Sequence, residues 1–209
     1  MASPMPVDPK ALRFFQAAEP LLERFGYRKT TVEEICRVAG MSKRTFYELF
    51  SDKQDLLLRW LETTVNAMTE SWEAGLSPDL DPLGRLHSFL DLYARMAREH
   101  PAMQVFFEDL DLMRQFGGRT EEMRMVQMGG PIDRILRDGV AAGQFRPLDP
   151  RAAMWVMFGI LDTVYLLMPR VMSAPGPLED PVLAEETKQF IVRGLGAIVD
   201  EPTIDTQSA

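Results

Sequence analysis

Apolar residues recur every three or four positions along most of the chain, which is the spacing of one helix face. Clear examples are Phe15, Ala18, Leu22 and Phe25 near the start, and Leu86, Phe89, Leu90, Tyr93 and Met96 in the middle. No segment shows the sustained alternation of apolar and polar residues that is typical of a half-buried strand. The pattern predicts an all-α protein.

Capping residues mark where these helices begin. An Asp can cap free amide groups, and a following Pro, which has no N–H, suits the first helical position. Such Asp-Pro pairs stand at residues 8–9, 81–82, 149–150 and 180–181. Two further starts have the form of a capping box, Thr31 with Glu34 and Ser51 with Gln54.

Glycine and proline mark where the helices end. Stop signals stand at Gly26, Gly40, Gly143 and Pro169, and the step at residues 129–131 is expected to kink or split its helix. Together the signals predict roughly nine or ten helices. Their expected ranges are 9–25, 31–39, 42–49, 52–75, 82–99, 101–116, 120–142, 149–168 and 180–200.

Composition excludes several classes of protein. With 209 residues, 46% of them hydrophobic, the chain can form one or two packed domains. A single cysteine, Cys36, and two histidines, His87 and His100, exclude a disulfide framework and a cysteine- or histidine-rich metal site. The most apolar stretch, 152–168, falls short of the ~20 residues of a spanning helix. We expect a cytoplasmic protein with no signal peptide, membrane span, cofactor or metal.

Charge is distributed unevenly along the chain, whose net charge is −8. Residues 1–60 carry ten Lys and Arg against eight Asp and Glu, whereas residues 61–209 carry thirteen against twenty-three. A mildly basic head on an acidic body suggests two separate tasks, because the local field governs contact with phosphates.

The segment from Thr30 to Lys53 predicts a helix-turn-helix. Thr31 caps a short apolar-faced helix that ends at Gly40, and Ser42 caps a second one. In the second helix the apolar residues Phe46 and Phe50 face inward, and the outward residues are Lys43, Arg44, Thr45 and Tyr47. A helix of this kind can enter a major groove. The alternative is an ordinary helix pair with a solvated cationic face.

Four short motifs in this segment and just before it closely resemble the DNA-binding domain of TetR-family regulators. They are Phe25-Gly26-Tyr27, Thr31-Val32-Glu33-Glu34-Ile35, Ala39-Gly40-Met41-Ser42-Lys43 and Thr45-Phe46-Tyr47, followed by Phe50-Ser51-Asp52-Lys53. The resemblance is dense over residues 11–60 and looser over the rest. It implies a three-helix DNA-binding domain over 1–52 and a helical effector-binding and dimerisation domain over 53–209. It also implies a homodimeric repressor that a small molecule releases from its operator.

The resemblance implies a set of DNA contacts. These residues are Thr31, Ser42, Lys43, Arg44, Thr45, Tyr47 and Lys53. Among them, Tyr47 and Lys53 are expected at phosphates, whereas Lys43, Arg44 and Thr45 are better placed for base edges. Tyr47 could instead only pack against the next helix, and either lysine could be a solvated surface charge.

Four residues depart from the pattern of the family. Pro20 lies inside the first helix and should bend it. Cys36 replaces a small apolar residue and is expected to be buried filler rather than a redox sensor. Arg44 stands where many relatives have glycine, and Leu49 replaces a frequent histidine, so both should change operator preference.

Methionine and aromatic residues are abundant in the body, where they could line a cavity for an apolar or amphipathic effector. The candidates are Met68, Trp72, Phe89, Tyr93, Met96, Phe106, Phe107, Met113, Trp155, Phe158, Leu161, Asp162 and Tyr165. The alternative for each is plain core. Asp162, a carboxylate in an apolar helix, must meet a structural partner, an interface or a ligand group.

Two apolar helices near the end of the chain, 149–168 and 180–200, offer more hydrophobic surface than a monomer should expose. The resemblance implies that they form a four-helix dimer seam in which Gly194 and Gly196 allow close approach. Apolar residues on the second helix are Phe190, Ile191, Leu195 and Ile198. Burial inside one subunit is the alternative.

Two other classes of function compete with a regulator. The sequence has no Gly-rich phosphate loop, metal-spaced ligands or nucleophile motif, which argues against a helical enzyme. The two histidines are expected to be surface or capping residues. A protein-only adaptor built on helix pairs is the third class, and it would not show salt-dependent binding to duplex DNA.

Overall fold

The computed structural model describes residues 8–105, 112, 128–171 and 175–196, and every regular element in these ranges is helical. The α-helices are α1 (Pro9–Lys29), α2 (Val32–Ala39), α3 (Lys43–Leu49), α4 (Lys53–Gly75), α5 (Pro82–Glu99), α6 (Gly129–Ala141), α7 (Pro150–Asp162), α8 (Met168–Val171) and α9 (Pro181–Gly194). A 3-10 turn covers Pro101–Gln104, and a π-helical turn covers Thr163–Leu167. The all-α prediction is confirmed.

All four Asp-Pro pairs begin helices as predicted. The Asp8 carboxylate accepts a hydrogen bond from the Lys10 amide at 2.7 Å. The carboxylates of Asp81 and Asp149 accept from amides in the first turns of α5 and α7, also at 2.7 Å, and Asp180 does the same for α9 at 2.9 Å. Each such cap stabilises its helix by about 1 kcal/mol.

The start of α4 differs from the prediction of a capping box at Ser51. The N-cap is Asp52, whose Oδ1 accepts a hydrogen bond from the Asp55 amide at 2.8 Å. The Asp55 carboxylate in turn accepts from the Ser51 amide at 3.0 Å. A carboxylate accepts this bond more strongly than a hydroxyl, so the cap falls one residue later than the Ser-x-x-Gln pattern suggests.

Three glycine stop signals are confirmed by left-handed backbone. Gly40 has φ 64° at the end of α2, and Gly143 has φ 71° after α6. Gly26 has φ 73° and interrupts α1, which resumes for one more turn. Pro20 lies in α1 without departing from helical φ and ψ, so the break in this helix is at Gly26.

The stop predicted at Pro169 is wrong, because helix continues through it into α8. The proline has no N–H for the carbonyl of Tyr165, four residues earlier. That carbonyl instead receives the Gln104 side-chain amide at a long 3.5 Å. A π-helical turn lies just before Pro169, a type of distortion that is frequent at functional sites.

Two of the predicted helices fall partly outside the described residues. Of the range 101–116, the structure describes the 3-10 turn, Val105 and Leu112. Of the range 120–142, it describes α6, which begins at Gly129, where a kink or split was predicted.

The head and the body share one continuous apolar core. In the head, Phe14, Phe46 and Phe50 are completely or almost completely buried, and the ring centroid of Phe46 lies 5.4 Å from that of Phe14 and 5.3 Å from that of Phe50. Helix α4 carries this core from the head into the body through its buried residues Leu56 and Trp60.

The run Pro150–Leu167 is more apolar than a typical surface helix. By length and by its mean hydropathy of 1.2 it meets the minimum for a membrane-spanning helix, as core helices of globular proteins also can, and one third of it is buried in the fold. The exposed part of this run forms one wall of a groove described below.

Candidate nucleic-acid interface

Two side-chain caps shape the turn between α2 and α3. The Thr31 hydroxyl accepts from the Glu34 amide at 3.2 Å, and the Glu34 carboxylate accepts from the Thr31 amide at 2.9 Å, which confirms the predicted capping box. Ser42 caps α3 by accepting from the Thr45 amide at 3.1 Å. Its hydroxyl is also 3.0 Å from that of Thr45. The candidate DNA contacts Thr31, Ser42 and Thr45 thus already have bonds within the chain.

The outer face of α3 is polar and cationic, as predicted. Phe46 is 0% exposed, whereas Tyr47 is 58% exposed, and the side chain of Arg44 is 89% exposed. Leu49 is half-buried and packs against the core. The buried aromatic ring therefore anchors α3 and turns its other side to solvent.

Carboxylates hold both cations of this face in the free protein. The Lys43 ammonium donates to Glu33 at 2.8 Å, which ties α3 to α2. This bond lowers the pKa of Glu33 and raises that of Lys43. Arg44 pairs with Glu48 one turn later, at 3.0 Å. Such exposed pairs are weak and screened by salt, so both cations can move to a stronger anion.

Lys53 is engaged inside the head. Its ammonium donates to the backbone carbonyls of Tyr27 at 2.6 Å and Thr30 at 2.7 Å. It also lies 3.9 Å from the centroid of the Tyr27 ring. Lys53 therefore fixes the start of α4 against the end of α1, a role that the sequence did not suggest.

We expect Lys53→Ala to lower the free energy of unfolding by about 1–2 kcal/mol, because it removes two charge-assisted hydrogen bonds from a half-buried position. Urea unfolding of the full chain at fixed protein concentration measures this. Lys29→Ala, which changes an exposed lysine at the end of α1, is the control. An unchanged unfolding midpoint for Lys53→Ala would show that these bonds contribute nothing.

Cys36 and His100 both have structural roles in the fold. Cys36 is buried in α2, and burial raises the pKa of its thiol, which disfavours the reactive thiolate. His100 ends α5, and its Nδ1 lies 2.6 Å from a carboxylate oxygen of Glu19 in α1. Its ring centroid is 6.4 Å from that of Trp60. The His100–Glu19 contact joins the head to the body.

Most of the effector candidates predicted from sequence lie in the core of the body. The buried ones are Trp72, Phe89, Tyr93, Met96, Phe158, Leu161 and Tyr165. Met68 is half-buried, Trp155 is exposed, and Phe106, Phe107 and Met113 lie outside the described residues. Asp162 meets a structural partner, since it accepts a hydrogen bond from the Tyr93 hydroxyl.

A cavity of about 490 Å³ opens beside this core, between α5 and α9. Of the candidates, Trp72 and Tyr165 line it. Burial, and then the nearby Asp91 carboxylate, raise the pKa of the Tyr165 phenol, whereas Arg98 opposes this shift. The phenol is thus neutral at physiological pH and can donate a hydrogen bond.

A second cavity, of about 260 Å³, is an apolar groove between α7 and α9. Val156 and Phe190 line it, and they are 65% and 69% exposed. Ile191 and Leu195 also line it but are buried within the subunit. Ile198, also predicted for this surface, lies outside the described residues.

The two glycines predicted at the seam have different surroundings. A Cβ added at Gly194 would meet nothing within 4 Å, so its surface is open. Gly196 has φ 81°, and a Cβ there would come within 2.9 Å of Arg146 Cβ. Gly196 is therefore required by a close approach inside the subunit rather than by a partner.

A capped turn and a buried aromatic anchor under an exposed cationic helix are the features of a helix-turn-helix DNA-binding domain. Residues 14–59 match the family model described as bacterial regulatory proteins, tetR family. The chain is thus a helix-turn-helix transcriptional regulator whose head matches the TetR family, and the resemblance recognised in the sequence is confirmed.

Similar proteins extend the match over nearly the whole chain. The HTH-type transcriptional regulator YhgD of Bacillus subtilis is 23% identical over 92% of this chain and 100% of its own length. The structure of the fatty acid degradation regulator FadR from Bacillus halodurans has a TM-score of 0.76 at 20% identity, covering 93% of this chain and 100% of that one. The structure of FadR from Bacillus subtilis in complex with stearoyl-CoA has a TM-score of 0.70 at 20% identity. It covers 88% of this chain and 98% of that one.

Proposed function

We propose that this regulator is a cytoplasmic homodimer that represses transcription from a near-palindromic operator until an apolar or amphipathic small molecule binds its body. The observation that carries the proposal is the face of α3, where Arg44 and Tyr47 point outward from a helix anchored by the buried Phe46. We assign it no catalytic role and no membrane location.

On DNA, we assign base edges to Lys43, Arg44 and Thr45, and phosphates to Tyr47 and Lys53. Arginine bound to guanine is the commonest specific pairing in the major groove, and Arg44 is held by an exposed ion pair. Thr31 and Ser42 complete the set of candidate DNA contacts. For Lys53, a phosphate contact would come in addition to its bonds inside the head.

Dimerisation is supported by the groove between α7 and α9. Its exposed apolar side chains, Val156 and Phe190, lie beside the open surface of Gly194. A two-fold partner would cover them with the same surface of its own. Two heads would then reach half-sites about 34–36 Å apart, or farther if the DNA is deformed.

Effector control is supported by the cavity beside the aromatic core of the body. The ligand of the Bacillus subtilis relative, stearoyl-CoA, is amphipathic. A ligand can release DNA only if it binds one conformation of the dimer more tightly than the other. A coupling of about 1–3 kcal/mol would lower operator affinity 5–150-fold.

The operator can be found by selecting duplexes from a random pool with the full-length protein. We expect an inverted repeat, because a two-fold dimer presents two copies of α3. A set of selected duplexes with no common sequence, or with a single unrepeated half-site, would contradict the proposal.

Arg44→Ala should relax base preference at one position per half-site and cost about 1–3 kcal/mol on the preferred duplex, if the contact is to guanine. Anisotropy titrations against single-base variants of the selected duplex measure this. Arg44→Lys, which keeps the charge but loses the bidentate fork, is the matched control and should relax the same position. Equal weakening on every duplex would instead assign Arg44 to a phosphate.

A further inference from the structure

The cavity between α5 and α9 is lined by apolar side chains, by three cations and by the carboxylates of Asp91 and Glu99. Trp72, Leu92 and Leu178 contribute apolar surface. Arg95 and Arg98 line the same cavity from α5, one helical turn apart. The volume of about 490 Å³ lies within the ~300–1,000 Å³ of typical small-molecule sites.

The two arginines differ from the other cation of this cavity. Lys188 on α9 is paired with Asp91 on α5. Neither Arg95 nor Arg98 forms an ion pair with a carboxylate in the part of the chain that the structure describes. Both guanidinium groups are therefore available to a ligand.

The positive charge of these arginines is opposite in sign to the net charge of the body. Residues 61–209 carry thirteen Lys and Arg against twenty-three Asp and Glu, so an anion is repelled by most of this domain. Besides the Lys188–Asp91 pair, the cavity is lined by two guanidinium groups and one carboxylate, that of Glu99, so the local charge is opposite in sign to that of the body. Paired arginines match the planar oxygens of a carboxylate or phosphate.

We propose that this cavity binds an amphiphile with a carboxylate or phosphate head, which Arg95 and Arg98 hold while the apolar chain lies against Trp72, Leu92 and Leu178. The neutral phenol of Tyr165 can donate a further hydrogen bond to the head. The inference rests on the effector response proposed above and specifies the chemical class of the effector.

Calorimetric titration of the full chain with four ten-carbon probes tests the proposal: decanoate, decyl phosphate, decanol and decyltrimethylammonium, each below its micelle concentration. We expect at least one of the anions to bind at least about tenfold more tightly than the alcohol and the cation. Arg95→Gln and Arg98→Gln should each weaken that anion about tenfold and leave decanol unchanged. Binding of both anions no tighter than the alcohol would overturn the proposal.

Two further variants locate the bound probe. Arg137→Gln removes an exposed positive charge from α6, outside the cavity, and should change anion binding by less than about twofold. Ala184→Trp fills the cavity from α9 and should abolish binding of anion and alcohol alike. Wild-type affinity for the anion in Ala184→Trp or in both arginine variants would refute the site.

Titration of the selected duplex without any amphiphile separates this inference from the proposed function. Arg95, Arg98 and Ala184 lie outside the head, so their variants should bind the duplex as the wild type does. If duplex binding persists while no anion is preferred, only the effector class is wrong. If duplex binding itself fails in the wild type, the proposed function is wrong whatever the amphiphiles do.

Discussion

Phe190→Asp is expected to turn a dimer into monomers that keep their helical circular dichroism. Phe190 is largely exposed in the single subunit, so the substitution costs the subunit little. In the dimer it would bury an unpaired carboxylate in an apolar seam, at a cost of more than about 3 kcal/mol. That corresponds to a dissociation constant raised more than about 100-fold. Sedimentation velocity at low micromolar protein measures the change.

Two neighbouring variants control this result. Phe190→Leu keeps an apolar side chain and should remain dimeric. Leu195→Asp should instead unfold the subunit, since Leu195 is only 6% exposed and packs inside the subunit. A Phe190→Asp protein that stays dimeric at these concentrations would contradict the proposed seam.

Phe46→Ala is expected to destabilise the head by about 3–5 kcal/mol and to abolish duplex binding. The Phe46 ring is fully buried and packs edge-to-face on Phe14 and at an angle on Phe50. Its loss leaves a cavity under α3 and frees the helix that carries Arg44. Urea unfolding by circular dichroism measures the stability, and anisotropy measures the binding.

The milder substitution Phe46→Leu is the control, because it fills most of the space and should keep part of the binding. The dimer should survive in both variants, since the groove between α7 and α9 is remote from the head in sequence. Duplex binding by Phe46→Ala at wild-type affinity would contradict the assignment of α3 as the recognition helix.

Local signals allowed much of the fold to be predicted. Capping and left-handed glycines act within a few residues, so the Asp-Pro starts, the Thr31 box and the turn at Gly40 could be read from the sequence. The helix-turn-helix could be predicted from the same signals, together with the one-turn spacing of Phe46 and Phe50, which places both on the inner face. Their burial in the structure agrees with that spacing.

Features that depend on distant parts of the chain could not be predicted. The carbonyls that hold Lys53 lie 26 and 23 residues earlier in the sequence, and Glu19 meets His100 across 81 residues. Helical spacing placed Leu195 on an apolar face, but it could not tell a core face from a dimer face. The pair Arg95 and Arg98 was visible as two arginines one turn apart, but only packing against α9 shows the cavity beside them.

The dependence of duplex affinity on salt tests the central claim most directly. We predict that the wild-type protein binds the selected inverted repeat with two subunits per duplex. The logarithm of its affinity should fall linearly with the logarithm of salt concentration, by roughly 0.9 per phosphate contacted. Binding that does not change with salt, or that is equally strong on a scrambled duplex at every salt concentration, would contradict the account.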